Sequence, residues 1–294
     1  MLDYRKCTLC PRRCGVDRTK GQRGFCGMPD HIVAARAALH YWEEPVVSGS
    51  FGSGAVFFSG CTLRCAFCQN GVISQENFGK EISTAQLREA FERLIDEGCQ
   101  NINLVTPTHF LPSILPALEP KLPVPVVYNC GGYESVQTLR ALEGYVDIYL
   151  PDFKYSDNAL AARLSNAPDY AETAAAAIME MYRQVGGAVI EDEQMVRGMI
   201  VRHLVLPGQV DNSLGVLDWL DAAFPKRDVW VSLMSQYVPM GKAKNMPPFD
   251  RRVSGTEYDA VLSYLYLLGL DHGYTQDLAA ATQDYTPEFD CEGL

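Results

Sequence analysis

Three cysteines between Gly60 and Asn70 have a spacing that suits an iron–sulfur cluster. Cys61, Cys65 and Cys68 are separated by three and by two residues. Three thiolates can hold three irons of a [4Fe–4S] cube and leave the fourth iron open. A chain that only stored electrons would supply a fourth thiolate nearby, so the missing ligand indicates that a small molecule completes the coordination. A zinc knuckle or three unrelated buried thiols would also be compatible with three cysteines.

A second group of four cysteines lies near the N-terminus: Cys7, Cys10, Cys14 and Cys26. Four thiolates can close a tetrahedral zinc site or hold a second [4Fe–4S] cluster, and the spacing does not distinguish the two. Four reduced thiols packed as small hydrophobic side chains are a third interpretation.

The composition predicts a cytoplasmic enzyme with one catalytic domain. The chain has 294 residues, 47% of them hydrophobic, which is enough to bury a sizeable core. Seven of the ten cysteines fall into the two groups, a usage typical of a reducing compartment. We expect neither a signal peptide nor a membrane span, because the chain shows no long apolar stretch. The net charge of −11 disfavours nucleic acid as a partner.

Short apolar runs alternate with segments of helical periodicity along most of the chain. The predicted strands are 55–60, 101–105, 125–128, 146–150, 199–206 and 229–234. The predicted helices are 86–98, an interrupted helix at 110–118, 135–142, 171–185, 214–224 and 256–268. Six strand–helix units predict a parallel sheet covered by helices, and right-handed crossovers would curl it into a barrel that six units leave open.

This pattern gives an α/β fold with three parts. We expect a cysteine-rich N-terminal extension at 1–50, a parallel sheet curled toward a barrel at 51–270 and a C-terminal tail at 271–294. In such barrels the active site lies at the carboxyl ends of the strands. The tail would either close the cavity there or dock elsewhere.

The first cysteine group, with the aromatic Phe67 just before its last member, resembles the signature of the radical S-adenosylmethionine superfamily. The resemblance implies that Cys61, Cys65 and Cys68 ligate the cluster and that the methionine end of S-adenosylmethionine chelates the open iron. It implies that a 5′-deoxyadenosyl radical then abstracts hydrogen from substrate. It also implies an external electron donor such as flavodoxin or ferredoxin, and it implies that residues 51–270 form a partial (β/α)6 TIM-like barrel.

Several residues at the strand exits resemble those of pyruvate formate-lyase activating enzyme and its relatives. Asp152 and Lys154 match an Asp-x-Lys motif that would hold the methionine end of the cofactor, although a simple salt bridge is the alternative. Asn129 lies in a similar Asn-Gly turn. Arg202 is costly to bury without an anionic partner, which could be the cofactor carboxylate or Asp152.

Other exits are less similar to that family. Thr106 and Thr108 stand where these enzymes often carry Gly-Gly-Glu, and their hydroxyl and carbonyl oxygens would be acceptors for the cofactor. Gln236 and Tyr237 resemble an uncharacterised iron–sulfur branch of the superfamily and are expected to face cofactor or substrate. The alternative for Tyr237 is that it covers an edge of the core.

Two further cysteines are candidates for donating a hydrogen atom to a substrate radical. Cys130 follows the third predicted strand, and Cys291 lies in the tail. Burial as inert core thiols is the alternative.

The function predicted from all of these residues is an activase-like radical S-adenosylmethionine oxidoreductase. Its substrate would be a protein, a peptide or a small molecule. A non-catalytic iron–sulfur or zinc protein for electron transfer or partner binding is the alternative.

Overall fold

A computed structural model describes residues 2–282 and 286–294; Met1 and residues 283–285 lie outside the described residues. These residues form one mixed sheet whose ladder runs in the order β10-β9-β8-β6-β5-β4-β2-β1-β3, with β7 paired to β8. The strands are β1 (Ile32–His40), β2 (Ser53–Phe58), β3 (Lys80–Ile82), β4 (Ile102–Val105), β5 (Val126–Cys130), β6 (Ile148–Pro151), β7 (Val189–Glu191), β8 (Gln194–Leu204), β9 (Trp230–Met234) and β10 (Gly273–Thr275).

Six of these strands are the six predicted from the apolar runs, and they pair in parallel from β2 to β9. β10 extends the parallel run by one strand, because it pairs with β9. The sheet curls but does not close, since β10 and β3 form its two ends. The predicted open α/β barrel is confirmed.

β1 and β3 pair antiparallel at one edge of the sheet, and the sequence did not reveal them. β1 belongs to the segment set apart as an N-terminal extension, yet it pairs with β2 along most of its length. Its sequence is rich in alanine, which has a low strand propensity, so the usual signal for a strand is weak.

The helices cover the sheet, and each predicted helix is present with shifted ends. They are α1 (Pro45–Ser48), α2 (Gly71–Ser74), α3 (Thr84–Asp96), α4 (Leu111–Ile114), α5 (Val136–Arg140), α6 (Asn158–Ser165), α7 (Tyr170–Val185), α8 (Val210–Ala223) and α9 (Gly255–Leu268). Ser83 begins α3 with a capping box, in which its hydroxyl accepts a hydrogen bond from the Gln86 amide at 3.1 Å. Within the described residues, none of these helices combines the length and apolarity that crossing a bilayer requires.

The short helix α1 fills the inside of the barrel at the amino ends of the strands. Val46 and Val47 pack against Val127, Ile148 and Ile200 from the barrel interior. This packing closes the lower end of the barrel with apolar side chains and leaves the polar residues at the opposite, carboxyl end.

Candidate functional site

The first cysteine group lies on the loop that follows β2, at the carboxyl end of the parallel strands. Cys65 is buried, and Cys61 and Cys68 are half-buried. The loop is fixed to the end of α6, because the Ala66 amide donates a hydrogen bond to the Leu164 carbonyl at 2.7 Å. The three thiols are therefore held in place by the fold around them.

Two serine hydroxyls donate hydrogen bonds to these thiols. Ser165 lies 3.0 Å from the Cys65 sulfur, and Ser74 lies 3.3 Å from the Cys68 sulfur. The Tyr155 hydroxyl is 2.7 Å from that of Ser165, so a buried chain of hydroxyls ends on Cys65. Donors aimed at sulfur stabilise a thiolate, which is the form that binds metal.

Cys65 and Cys68 are protonated in the absence of a bound cation. Burial raises the pKa of Cys65 to about 12, although the nearby Lys154 ammonium lowers it. Burial also raises the pKa of Cys68, and the neighbouring Cys61 adds to the effect. Because thiolates at this site repel one another, deprotonation requires the positive charge of bound metal.

A buried charge network occupies the same end of the barrel and is centred on Arg202. Its guanidinium contacts a carboxylate oxygen of Asp152 at 2.8 Å, a carboxylate oxygen of Glu43 at 3.0 Å and the Asn129 side-chain oxygen at 2.7 Å. Lys154 also pairs with Asp152. The strand exits predicted to hold the cofactor are therefore brought together, and the internal Arg202–Asp152 pair is present as well.

Neighbouring charges set the protonation of this network. Burial acts to raise the pKa of Asp152, but Arg202 and Lys154 together hold it below its usual range. Burial acts to lower the pKa of Lys154, and Asp152 outweighs this effect and raises it. Asp152 and Lys154 are thus an ion pair at neutral pH, with their charges close to Cys65.

Glu43 is a member of the network that the sequence did not reveal. Its carboxylate accepts hydrogen bonds from the Asn129 amide at 2.9 Å and the Asn103 amide at 3.1 Å, besides the contact with Arg202. Glu43 lies in the loop before α1, within the segment regarded as an extension. Only the pairing of β1 with β2, which carries this loop into the barrel, could have indicated its role.

Two cavities meet at this network. The smaller, of about 200 Å³, is lined by Cys65, Cys68, Asp152, Lys154 and Arg202, among others. The larger, of about 350 Å³, extends into the barrel interior and shares the Arg202 wall. The smaller cavity joins the Cys65 and Cys68 thiols to the charged residues, as a cofactor bound to both would require.

Phe67, Gln236 and Tyr237 also line the smaller cavity. The rings of Phe67 and Tyr237 lie 5.7 Å apart, and the Tyr237 hydroxyl donates to the Phe249 carbonyl at 2.7 Å. The ring of Tyr237 thus faces the cavity, while its hydroxyl is bonded to the backbone. The position combines the two interpretations of this residue, one that faces the cofactor site and one that covers an edge of the core.

Thr108 and Cys130 lie away from both cavities, on the outer side of the sheet. Thr108 donates to the buried Glu134 carboxyl at 2.8 Å, and Tyr128 approaches the same carboxyl at 3.4 Å. Cys130 is buried beside them, on the face of β5 opposite Asn129. Burial raises the pKa of Glu134 to about 8, so this cluster is neutral at pH 7.

Thr106 and Cys291 are also absent from the residues that line the two cavities. Thr106 has a positive φ of 59°, and its amide donates to the Asn129 carbonyl at 2.8 Å. Cys291 lies where the tail docks on β1, because its amide donates to the Ala35 carbonyl at 2.9 Å. Other tail residues, Gln276 and Pro287 among them, line the larger cavity.

The second cysteine group lies on a segment that contacts the loop of the first, with Cys7, Cys10 and Cys26 buried and Cys14 exposed. Arg12 connects the two, since its guanidinium donates to the Thr62 carbonyl at 2.9 Å and the Ser165 carbonyl at 3.0 Å.

No three His, Cys, Asp or Glu side chains in residues 2–282 and 286–294 converge on a point that could hold a single metal ion. The thiolates of a [4Fe–4S] cube bind separate irons and need no such convergence.

The comparisons with known proteins agree with this arrangement. A family model described as the radical SAM superfamily matches residues 55–220. An uncharacterized protein of Methanocaldococcus jannaschii is 32% identical over 279 residues, which cover 91% of this chain and 76% of that protein.

Solved structures are more distant. SuiB of Streptococcus suis bound to S-adenosylmethionine has a TM-score of 0.49 and 14% identity, over 75% of this chain and 49% of SuiB. Methylornithine synthase PylB has a TM-score of 0.49 and 14% identity, over 78% of this chain and 75% of PylB. This chain spans about half the length of the SuiB chain.

Proposed function

Because the chain belongs to the radical S-adenosylmethionine superfamily, we propose that it is an enzyme that cleaves S-adenosylmethionine reductively and abstracts hydrogen from a substrate. Cys61, Cys65 and Cys68 would hold a [4Fe–4S] cluster. The observation that carries the proposal is the smaller cavity, which joins Cys65 and Cys68 to the Arg202 and Lys154 charges. When bound, the reduced cluster and the cofactor supply the electron and the radical.

The residues around the smaller cavity fit both the iron–sulfur cluster and S-adenosylmethionine. Ser165 and Ser74 already donate to two of the thiols, and Lys154 lies close enough to Cys65 to stabilise its thiolate. Arg202 would bind the cofactor carboxylate through its planar fork, and Asp152 would accept from the cofactor ammonium. Asn129 keeps the Arg202 guanidinium oriented.

We propose a second [4Fe–4S] cluster at Cys7, Cys10, Cys14 and Cys26. The support is Arg18, which is 1% exposed and lies 3.9 Å from the Cys7 sulfur. Its guanidinium donates to the carbonyls of Pro29 and His109, and within the described residues it has no carboxylate in ion-pairing range. A buried cation needs a nearby anion, and thiolates bound to a cluster would supply that charge.

The proposed reaction needs an external electron donor, such as a flavodoxin or a ferredoxin, and the ten free thiols suit the cytoplasm. We further propose an activase-like role, in which the substrate is a protein, a peptide or a small molecule. The larger cavity supports this role, because it provides space for part of a substrate next to the proposed cofactor site.

The test is anaerobic reconstitution with iron and sulfide, followed by reduction in the presence of S-adenosylmethionine. We expect 5′-deoxyadenosine from the wild type, none from Cys65→Ala, and a wild-type amount from Cys99→Ala, which removes a buried cysteine outside both groups. A wild type that binds iron but forms no 5′-deoxyadenosine would favour the electron-transfer alternative. Cys7→Ala should lose about four irons, whereas loss of zinc would contradict the second cluster.

A further inference from the structure

The larger cavity contains a buried carboxylate that the charge network does not use. Glu44 lines this cavity and is 7% exposed. Its Oε2 atom has no hydrogen-bond partner in the part of the chain that the structure describes. Burying a carboxylate oxygen without a hydrogen-bond partner costs free energy. A bound ligand that donates to this oxygen would offset that cost.

The local structure explains why Glu44 faces the cavity. It is the N-cap residue of α1, but its side chain makes no capping hydrogen bond. The helix uses the Glu44 carbonyl instead, which accepts from the Val47 amide at 2.7 Å and the Ser48 amide at 3.0 Å. The carboxyl group is therefore free of a role in the helix and is held in position by the backbone.

Glu44 makes no direct ion pair in the described residues: Arg202 is the nearest opposing charge, but its guanidinium is bonded to other side chains, and the contact of the Glu44 carboxyl is with Ser232. Arg202 pairs with Glu43 and Asp152, and Lys154 pairs with Asp152. Glu44 takes part in none of the ion pairs of the described residues. His40, also in the cavity wall, supplies no charge, because burial lowers its pKa to about 4. Three acidic side chains thus share two basic ones, and burial raises the pKa of Glu44 in the absence of a further cation.

The remaining cavity wall suits a cation as well. It includes aromatic rings, whose faces attract ammonium and guanidinium groups, and the polar side chains of Ser232 and Gln276. The aromatic members are His40, Trp42, Phe57 and Tyr274. Glu44 does not line the smaller cavity that contains the cysteines, so its ligand is distinct from the part of the cofactor bound there.

We propose that the larger cavity binds a substrate that carries a basic group, an ammonium or a guanidinium, and that this group pairs with Glu44. The proposal rests on the proposed function, since it names the substrate class of the same active site. The basic group belongs either to a free amine or to a lysine or arginine side chain of a peptide.

Calorimetric titration of the anaerobic holoenzyme, saturated with S-adenosylmethionine and not reduced, tests this. The probes are agmatine, Nα-acetyl-lysine amide and the uncharged Nα-acetyl-norleucine amide. At least one basic probe should bind about tenfold or more tightly than the norleucine derivative. If neither basic probe binds more tightly than the norleucine derivative, the proposal is overturned, and this includes the case in which no probe binds. Preference for agmatine indicates a free amine, and preference for the lysine derivative indicates a peptide.

Glu44→Gln should reduce the affinity for the basic probe by about tenfold or more and leave S-adenosylmethionine binding unchanged. Glu89→Gln, an exposed glutamate on α3, is the matched control and should bind like the wild type. If Glu44→Gln binds the basic probe with wild-type affinity, the role of Glu44 is refuted. A variant that weakens the binding of S-adenosylmethionine instead of the probe would refute it as well. If Glu44→Gln does not fold, the comparison of probes on the wild type still decides. Formation of 5′-deoxyadenosine by reduced enzyme without probe tests the proposed function separately.

Discussion

Replacing Arg202 by methionine should destabilise the fold strongly, because the substitution leaves two buried carboxylates without their cation. The guanidinium pairs with Glu43 and Asp152, and the three side chains are 14, 9 and 14% exposed. Methionine is similar in length but carries neither charge nor hydrogen-bond donors.

The expected loss follows from this burial. Removing one partner of a buried ion pair costs about 3–5 kcal/mol, since the remaining charge is neither solvated nor paired. Lys154 still pairs with Asp152, so the lower part of this range is expected. Arg197→Met provides the matched control on the same strand. Arg197 is exposed, and its side chain donates to the Gln184 carbonyl at 2.9 Å, so its replacement should change stability by no more than about 0.5 kcal/mol.

Urea unfolding of the metal-free chain under anaerobic, reducing conditions measures both variants. The deficit of Arg202→Met should also depend on pH. Burial raises the pKa of Glu43 even with Arg202 present, and loss of the guanidinium would raise it further. A carboxyl whose pKa is higher in the folded state favours folding more as it gains its proton, so the deficit should shrink between pH 7 and pH 5.

The control and the pH series decide the outcome. An Arg202→Met variant within about 1 kcal/mol of Arg197→Met at pH 7 would refute the inference that the network is desolvated. If the loss of unfolding free energy in Arg202→Met grows toward pH 5, the unpaired carboxylates are not the cause of that loss.

Three further predictions concern the surroundings of the site. Ser165→Ala removes a hydrogen bond to the Cys65 sulfur and should lower the reduction potential of the cluster by about 40 mV, the equivalent of about 1 kcal/mol for one electron. Ser263→Ala, at an exposed serine, should leave the potential unchanged. An EPR-monitored redox titration measures both potentials, and equal values would contradict the prediction. Wild-type stability should fall as the pH rises from 6 to 8, because the pKa of Glu134 is raised to about 8 in the folded state; Glu134→Gln should abolish that part of the slope, and an unchanged slope in urea titrations would exclude Glu134 as its source. Arg18→Met should weaken metal retention at the N-terminal cysteines by about 10–100-fold in a chelator challenge, and wild-type retention would show that its charge is balanced otherwise.

The barrel strands and the charged residues at their exits could be predicted because each signal is local. An apolar run followed by a polar exit is visible in the sequence, and Asp152, Lys154 and Arg202 lie at such exits. Parallel pairing then brings these residues together, as the Arg202–Asp152 contact at 2.8 Å illustrates. The capping box at Ser83 is similarly local.

The residues that sequence analysis missed depend on long-range packing. Glu43 and Glu44 enter the barrel only because β1 pairs antiparallel with β2 and α1 fills the lower end. Cys130 illustrates the opposite case, since it lies at a strand exit but on the outer face. A shift of one residue along a strand reverses the face, and the apolar runs do not fix this register. The hairpin of β7 and β8 turns at Asp192 and Glu193 with φ of 47° and 67°, without the Asn-Gly signal that usually marks such turns.

The most direct test of the central claim is the EPR spectrum of the reduced Cys7→Ala variant, which retains only the cluster of Cys61, Cys65 and Cys68. Three thiolates leave one iron open, so addition of S-adenosylmethionine should change the spectrum. An unchanged spectrum, with about four irons bound per chain, would mean that the fourth iron already has a protein ligand and would contradict the account.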